Sequence, residues 1–374
     1  MKRITIVFEF DTLNGGERSM LAVIDELRGI RPNGDGDQCE FVILAPETGQ
    51  LADAVRGRGV EMIPLRIREK TRLPDADERL LSAIQQADPD LVHANSLSMS
   101  VLLGSVAGQI NVPCLSHLRD IVGLSNSAIT KLNQNDSLIA VSQATKSFHI
   151  GQGLSEDKTA VVYNGVDCKK FRPRLLTGQL KRELDLPDDA FLIATIGQIG
   201  MRKGLDTLAE AAAVIGDQYA SIHFLLIGER YSQKDEAVEY ESSIRKRFEE
   251  AGLSARLHRL GYRNDVANVL NEIDLLVHPA KQEPLGRVLL EAGASGVPII
   301  ATKVGGTEEI FPDDCSARLI PPQSHSELAD AIVELYNDAN QRDSLAKNAR
   351  RRIESEFSIE LAAARLRDEW TRHL

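Results

Sequence analysis

Short apolar runs alternate with longer amphipathic stretches along almost the whole chain. Several of the apolar runs are nearly continuous, which is typical of β-strands covered on both faces. The runs that predict strands are "ITIVFEF", "CEFVILAP", "EMIPLR", "DLVHANS", "PCLSHLR", "SLIAVS" and "AVVYNG", followed later by "FLIATIGQ", "IHFLLIGE", "ARLHRLGY", "DLLVHPA", "PIIAT" and "ARLIPP". Helical spacing appears between them, as in "ERSMLAVIDELRG", where Met20, Leu21, Ile24 and Leu27 form an apolar stripe. This alternation predicts parallel, doubly wound α/β sheets.

A charged, proline-containing stretch, "CKKFRPRLLTGQLKRELDLPDDA", interrupts the alternation at 168–190. It predicts a linker followed by a short helix. The chain length of 374 residues also suits two domains of about 150–200 residues each. We therefore expect one α/β domain over 1–170 and a second over 171–356, with ligand sites at the carboxyl ends of the strands. The tail "ELAAARLRDEWTRHL" predicts an amphipathic helix within 357–374, with Leu361, Leu366 and Trp370 on one face, that packs back on the first domain.

Composition narrows the class of protein. A formal net charge of −11 argues against nucleic acid as a partner, because neutralising phosphates requires a basic surface. The chain starts with a strand-like run broken by Glu9 and Asp11 and shows no membrane-span pattern, so we expect a cytoplasmic protein. Its cysteines are widely separated, which favours buried free thiols over disulfides or a metal site; they are Cys39, Cys114, Cys168 and Cys315.

Two glycine-rich turns follow predicted strands. In "DTLNGGERSML", Gly15 and Gly16 stand at a strand-to-helix turn, where they serve either a tight turn with positive φ or the close approach of an anion to free helix amides. In "ATIGQIGMRKGLDTL", glycines bracket Arg202 and Lys203, a combination that suits a diphosphate, although lysines at helix starts are often simply solvated. Neither turn has the G-x-G-x-x-G spacing of a dinucleotide oxidoreductase.

The stretch "AKQEPLGRVLLEAGASGVPII" places Glu283 and Glu291 within an otherwise apolar segment. Pro284 predicts a helix that begins just after Glu283, with Gly286 and Arg287 supplying amides for phosphate. Glu291 then lies about 12 Å further along the helix. The two carboxylates would contact different hydroxyl-bearing parts of one elongated ligand. The alternative is a solvated Glu283 and a Glu291 paired with Arg287.

Three histidines lie in or at the ends of predicted strands. His93 and His278 fit structural positions in the core. His117, in "CLSHLRDIVG", ends a strand of the first domain, where it could donate a hydrogen bond to a substrate hydroxyl or phosphate.

Taken together, the motifs resemble retaining glycosyltransferases of family four. They are "NGGERS", "DLVHANS", "SHLRD", "VSQAT", "VVYNGVD", "GQIGMRKGLD", "LLIGE" and "DLLVHPAKQEPLGRVLLEAGASGVPIIATKVGGTEEI". The last block, with its E-x(7)-E element, is the most specific, and the resemblance covers nearly the whole chain. It implies the GT-B fold, in which two Rossmann-like domains face a central cleft, with the first binding the acceptor and the second the nucleotide-sugar donor. It also implies transfer from a UDP- or GDP-sugar to an acceptor hydroxyl with retention of anomeric configuration, without a metal or other cofactor, in the synthesis of cell-envelope polysaccharide, glycolipid or small glycosides.

The resemblance assigns site residues position by position. Glu291 would accept the ribose hydroxyls, and Glu283 would bind and orient the transferred sugar. Lys203 would neutralise the leaving diphosphate, with Gly16 closing over it from the first domain and His117 near the reacting carbon. The remaining donor-binding positions are the diphosphate-holding loop, Leu285, Gly286 and Arg287; the base-bordering Tyr262 and Arg263; and Gln198 and Arg202.

Two positions depart from the family pattern. Gln198 replaces the usual arginine, leaving Arg202 as the substitute cation, and Leu285 replaces an aromatic residue. Because Gln198 leaves this position without a cation, one alternative is a homologue that binds a nucleotide-sugar but is not catalytic. A nucleotide-sugar epimerase on the same fold is another.

The acceptor is a sugar, lipid-linked or small-molecule hydroxyl that the sequence does not specify further, and the oligomeric state is equally undefined. The run "PLRIREKTRLP" places Arg66, Arg68, Lys70 and Arg72 in alternation. It is interpreted either as a peripheral contact with an anionic membrane or lipid diphosphate, or as an ordinary solvated loop.

Overall fold

The computed structural model describes residues 1–29, 39–69 and 71–374. They form two compact units: an N-terminal unit of Met1–Gly165 together with Ile359–Leu374, and a C-terminal unit of Val166–Ser358. The chain thus passes between the units near the predicted positions 170 and 356. Lys70 of the basic run lies outside the described residues.

The N-terminal unit is built on a seven-stranded sheet with the order β3-β2-β1-β4-β5-β6-β7, in which every pairing is parallel. Its strands are β1 Lys2–Val7, β2 Cys39–Ala45, β3 Glu61–Pro64, β4 Leu91–Ala94, β5 Cys114–Leu118, β6 Ser137–Ala140 and β7 Thr159–Val161. Its first six helices are α1 Gly15–Gly29, α2 Gln50–Arg56, α3 Ala76–Ala87, α4 Leu97–Val106, α5 Asn126–Leu132 and α6 Gln143–Ile150.

The strand order reverses at β1, which pairs with β2 on one side and β4 on the other. Both sheet faces are covered, since α1 packs on a face that includes Ile4 and Ile6 while α3 and α4 pack on the opposite face with Val7 and Val92. This explains the continuous apolar runs. The carboxyl ends of β1, β4 and β5 therefore meet at the topological switch point, where α/β sheets place their ligands.

The C-terminal unit repeats the architecture on a six-stranded sheet with the order β10-β9-β8-β11-β12-β13. Its strands are β8 Phe191–Ile196, β9 Ile222–Ile227, β10 Leu257–Gly261, β11 Leu275–His278, β12 Ile299–Thr302 and β13 Arg318–Ile320. Its helices are α7 Gln179–Glu183, α8 Leu205–Ile215, α9 Asp235–Glu250, α10 Val266–Val269, α11 Arg287–Ala294, α12 Thr307–Ile310, α13 His325–Asn337 and α14 Ala339–Glu356. All thirteen strands predicted from the apolar runs are present, and both sheets are parallel as predicted.

The glycines after β8 are required by packing. Gly204 has φ +65° and a Cβ there would lie 1.8 Å from the carbonyl oxygen of Pro279, just after β11. Gly228, which follows β9, is constrained in the same way, because a Cβ there would lie 1.9 Å from the carbonyl oxygen of Gly197. The turn that carries Arg202 and Lys203 is thereby pressed against the carboxyl ends of the neighbouring strands.

The final helix, α15 Ile359–Thr371, belongs to the N-terminal unit. Leu366 and Trp370 are buried as predicted, whereas Leu361 is only half-buried. Ile359, Ala362 and Ala363 complete the buried face instead. Trp370 is fully buried and packs at 5.8 Å, ring to ring, from Phe41 of β2.

The cysteines are free thiols, but only Cys114 is buried, and Cys315 is exposed, so the expectation of uniform burial was wrong. None of the described helices combines the length and apolar character needed to cross a bilayer.

Candidate functional site

Glu283 is the centre of a buried cluster at the carboxyl ends of β8 and β11. Lys203 comes from a single 3-10 turn, Met201–Lys203, between β8 and α8, and His278 is the last residue of β11. The Lys203 Nζ lies 2.5 Å from Glu283 Oε2, and His278 Nε2 lies 2.8 Å from the same oxygen. Glu283 is only 6% exposed. The alternatives of a solvated glutamate and a solvated lysine were therefore wrong.

Burial and neighbouring charges shift the pKa values of Glu283 and His278 in this cluster. Burial raises the pKa of Glu283, but Lys203, His278 and Arg202 outweigh it and hold the pKa of that carboxyl far below its usual range. Burial, reinforced by Lys203, lowers the pKa of His278, so the imidazole is neutral. Because an ionised carboxylate only accepts, His278 donates through Nε2–H. The cluster is an anion held between an ammonium group and a neutral donor.

Close backbone packing fixes the loop that carries Glu283. Gly305 has φ +53° and its Cβ would lie 1.9 Å from the Glu283 carbonyl oxygen, which accepts a hydrogen bond from the Gly306 amide at 3.0 Å. Gly286, with φ +102°, caps α11, and Leu285 is buried beneath it at 1% exposure. The Gly-Gly pair of "KVGGTEE" thus clamps the Glu283–Gly286 loop in front of the helix.

Helix α11 starts later than Pro284 suggests. It begins at Arg287, so Glu291 lies one turn inside the helix rather than two. Arg287 Nη2 contacts Glu291 Oε1 at 2.6 Å, an i,i+4 ion pair that was one of the two interpretations of this spacing. Glu291 keeps 13% of its side chain exposed, so the pair is not closed off from a ligand.

The other predicted donor-binding residues of the C-terminal unit have different surroundings. Gln198 and Arg202 are both exposed on the turns that follow β8, and the Arg202 carbonyl oxygen accepts from the Lys281 amide at 2.8 Å. Tyr262 is 43% exposed after β10. Arg263 makes a bidentate pair with Asp265, at 2.8 Å for each contact, and a second pair with Glu183 at 2.5 Å. The Arg263 guanidinium therefore donates its hydrogen bonds to the carboxylates of Asp265 and Glu183.

A second cluster lies at the carboxyl ends of β4 and β5 in the N-terminal unit. His93 pairs in register with Leu115, so His117, two residues further along β5, lies on the same face of the sheet. His93 Nε2 and His117 Nδ1 are 3.2 Å apart, and both rings are almost fully buried. The expectation that His117 ends its strand is correct within one residue, since β5 ends at Leu118.

The Arg119 side chain contacts residues that lie in or just after several strands of the N-terminal unit. Its guanidinium donates to Asn95 Oδ1 at 2.8 Å, to Asn164 Oδ1 at 2.8 Å and to His117 Nδ1 at 3.2 Å. Asn95 in turn donates to the Gly16 carbonyl oxygen at 3.1 Å. Gly16 opens α1 without a positive φ, so the tight-turn interpretation of the glycine pair was wrong at this position.

The reason for glycine at position 16 is the proximity of Arg119, since a Cβ there would lie 3.0 Å from Arg119 Cδ. We predict that Gly16→Ala displaces this side chain and lowers the rate of the sugar transfer expected from the sequence motifs about fivefold, the factor expected for weakening one hydrogen bond. Gly108→Ala is the matched control, because a methyl group there meets no heavy atom within 4 Å among the described residues. Equal initial rates for Gly16→Ala and wild type would contradict the packing argument.

Sequence reasoning did not assign a function to four members of the two clusters: His278, His93, Asn95 and Arg119. The available signal was positional, because each lies in the last residues of a strand or just after it, at a sheet edge where ligands bind. Within residues 1–29, 39–69 and 71–374, no group of three or more His, Cys, Asp or Glu side chains is placed to hold a metal ion.

Comparison with known proteins agrees with this architecture. The family model "Glycosyltransferase Family 4" matches residues 13–170, and the model "Glycosyl transferases group 1" matches residues 177–352. The UDP-Gal:alpha-D-GlcNAc-diphosphoundecaprenol alpha-1,3-galactosyltransferase of Escherichia coli is 25% identical over 355 residues, covering 89% of each protein. The GDP-mannose-dependent alpha-mannosyltransferase of Mycobacterium tuberculosis is 26% identical, covering 94% of this chain and 92% of that protein.

Solved structures show the same fold. Anabaena HepE in complex with UDP and glucose matches with a TM-score of 0.86 at 20% identity, covering 99% of this chain and 100% of that chain. WaaG, a glycosyltransferase involved in lipopolysaccharide biosynthesis, matches with a TM-score of 0.73 at 16% identity, covering 97% of this chain and 98% of that chain. Two parallel α/β units of this kind are the hallmark of the GT-B fold. The chain belongs to glycosyltransferase family four, as the sequence motifs predicted.

Proposed function

We propose that this protein transfers a sugar from a UDP- or GDP-sugar to an acceptor hydroxyl, with retention of anomeric configuration and without a metal ion. The observation that carries the proposal is the buried contact of Lys203 with Glu283 in front of α11. The contact brings together the Lys203 ammonium group and the ionised Glu283 carboxylate, and the loop that carries Glu283 leads directly into the first amides of α11. These are the groups that a diphosphate and a sugar hydroxyl need.

The chemistry follows from where charge develops. As the bond between the anomeric carbon and the diphosphate oxygen breaks, negative charge grows on the diphosphate. Lys203 is placed to stabilise that charge, with exposed Arg202 on the same turn. Glu283, freed from Lys203 as the cation turns to the diphosphate, accepts hydrogen bonds from hydroxyls of the transferred sugar. Cationic side chains thereby fill the role that a divalent ion plays in other transferases.

Retention is proposed through attack on the same face from which the diphosphate departs. The acceptor oxygen forms a bond to the anomeric carbon as the bond to the diphosphate breaks, and the acceptor proton passes to a diphosphate oxygen. This route requires no enzymatic nucleophile. The α-galactosyl and α-mannosyl products named for the two curated relatives are in keeping with it.

Glu291 is proposed to bind the ribose hydroxyls from its place on α11. We predict that Glu291→Ala weakens binding of UDP or GDP about twentyfold, because two hydroxyl hydrogen bonds to a charged group are lost. Binding of inorganic diphosphate should not change, since it has no ribose. Isothermal titration with both ligands measures the difference. Glu354→Ala is the matched control, because it breaks the corresponding i,i+4 pair with Arg350 on α14; equal losses for both ligands would refute the ribose assignment.

We also propose a cytoplasmic protein acting on a lipid-linked or other glycan acceptor, following the diphosphoundecaprenol acceptor named for the Escherichia coli relative. Two cations of the basic run are paired with carboxylates, Arg68 with buried Glu9 at 2.7 Å and Arg66 with Glu69 at 3.2 Å, which lowers the net charge that they offer to an anionic membrane. Peripheral association, if present, should then depend weakly on salt. Co-sedimentation with anionic and neutral vesicles at two salt concentrations measures it.

A thermal-shift panel of nucleoside diphosphates and their sugars tests the donor assignment, because a ligand that binds only the folded state raises the melting temperature. The donor that gives the largest shift is then incubated with glycan and polyprenol-diphosphate acceptors, and the anomeric configuration of the product is determined by NMR. A shift without transfer or donor hydrolysis would indicate a non-catalytic binding protein. Isomerised donor without acceptor would indicate an epimerase.

A further inference from the structure

A buried chain of hydrogen bonds runs from helix α15 to the edge of the N-terminal sheet. Trp370 Nε1 lies 2.9 Å from His93 Nδ1. An indole nitrogen only donates, so the direction of this hydrogen bond is fixed. His93 Nδ1 is therefore the acceptor, and the neutral His93 ring carries its proton on Nε2.

The proton position on His93 determines that on His117. His93 Nε2–H donates to His117 Nδ1 across 3.2 Å, and Arg119 Nη2, which is always a donor, approaches the same nitrogen at 3.2 Å. With two donors on Nδ1, the His117 proton must be on Nε2. Burial, and then the charge of Arg119, lowers the pKa of His93 to about 3 and lowers the pKa of His117 well below its usual value, so both rings are neutral.

The His117 Nε2–H has no hydrogen-bond partner among the described residues, although the ring is 2% exposed. An unsatisfied buried donor costs free energy, and most buried donors in folded proteins have a hydrogen-bond partner. This one lies near the carboxyl end of β5, beside the switch point of the sheet. The missing partner is therefore best supplied by a ligand oxygen.

We propose that Trp370 and His93 are positioning residues that hold His117 as an obligate hydrogen-bond donor to an oxygen of the sugar substrate. The proposal rests on the sugar-transfer function proposed above. It adds a chemical constraint, because the single in-plane lone pair of the neutral His117 imidazole, on Nδ1, already accepts hydrogen bonds from His93 and Arg119. His117 has no free lone pair and does not take the proton of the attacking hydroxyl, which leaves the diphosphate oxygen as the proton acceptor.

The experiment uses the full-length protein, labelled with ¹⁵N at histidine, and three variants. His93→Leu and Trp370→Phe break the chain at different points, whereas His93→Gln keeps an acceptor for Trp370 and a donor for His117. We expect His93→Leu to lower kcat about tenfold and Trp370→Phe about threefold, while His93→Gln stays within about twofold of wild type. In the first two variants Arg119 remains as a donor to His117 Nδ1, so the tautomer should persist while the Nδ1 resonance moves because the hydrogen bond from His93 is lost or weakened.

Phe41→Leu is the matched control, since Phe41 packs on the Trp370 ring but donates no hydrogen bond. It should lower stability without changing the His117 nitrogen spectrum. Affinity for UDP or GDP should be unchanged in every variant, because the proposed nucleotide contacts lie in the C-terminal unit. A purely structural contribution of Trp370 would instead give equal effects for Trp370→Phe and Phe41→Leu.

The proposal is overturned if the His117 Nδ1 resonance in His93→Leu is the same as in wild type, or if His93→Gln loses as much activity as His93→Leu. Failure of the proposed function looks different, because the wild-type protein would then transfer no sugar while its His117 spectrum still showed the Nε2–H tautomer.

Discussion

Lys203→Ala should lower the rate of sugar transfer about 10³-fold, which corresponds to about 4 kcal/mol of lost transition-state stabilisation. The lysine ammonium is held 2.5 Å from Glu283 in a mostly buried position, where charge is poorly screened. Because the diphosphate gains negative charge only as the anomeric bond breaks, the loss should fall mainly on kcat. Steady-state kinetics over a range of donor concentrations separate kcat from KM.

Lys281→Ala is the matched control for the loss of a lysine. Lys281 also forms an ion pair in the C-terminal unit, with Asp206 at 2.6 Å, but the Asp206 side chain is 42% exposed. The control should retain activity within about threefold, as expected for a pair worth under about 1 kcal/mol. If Lys203→Ala also stayed within about threefold of wild type, the assignment of Lys203 to the leaving diphosphate would be wrong.

Glu283→Gln should lower transfer about 10²-fold and also destabilise the C-terminal unit by about 3–5 kcal/mol, because it leaves the Lys203 charge buried without its counter-ion. Glutamine preserves the shape of the side chain and can still accept from His278, so the change isolates the charge. Differential scanning calorimetry measures the stability. Glu241→Gln is the control, since Glu241 also pairs with cations, Arg230 and Arg259, but is more exposed.

The lowered pKa of Glu283 determines how the stability difference between wild type and Glu283→Gln depends on pH. A carboxyl whose pKa is lower when folded stabilises the protein above its unfolded pKa, and the contribution is lost as pH falls towards the folded pKa. The stability gap between wild type and Glu283→Gln should therefore be constant down to about pH 5 and narrow as the pH falls below about 4.3. A gap that widened in acid would contradict an ionised, paired Glu283.

The fold was largely predictable because the central strands are buried on both faces and so appear as continuous apolar runs. Glu283 was also predictable as a partnered carboxylate from its setting, since a carboxylate beside "PLG" and before a helix is costly unless it is partnered. The start of α11 was not, because Pro284 fits both a first helical turn and the loop that Gly305 and Gly306 clamp in place. That choice depends on backbone contacts between segments twenty residues apart.

Local sequence thus determined the strands, their parallel arrangement, the family and the donor-site motif. Only the tertiary structure decided which charges and ring nitrogens meet. Lys203 and Glu283 are 80 residues apart and Trp370 and His93 are 277 apart, yet each pair is in hydrogen-bond contact. Such partners leave no periodic signal in the chain, because the sheet register and the return of α15 to the N-terminal unit bring them together. Protonation states follow those contacts, so the tautomer of His117 is a property of the folded protein alone.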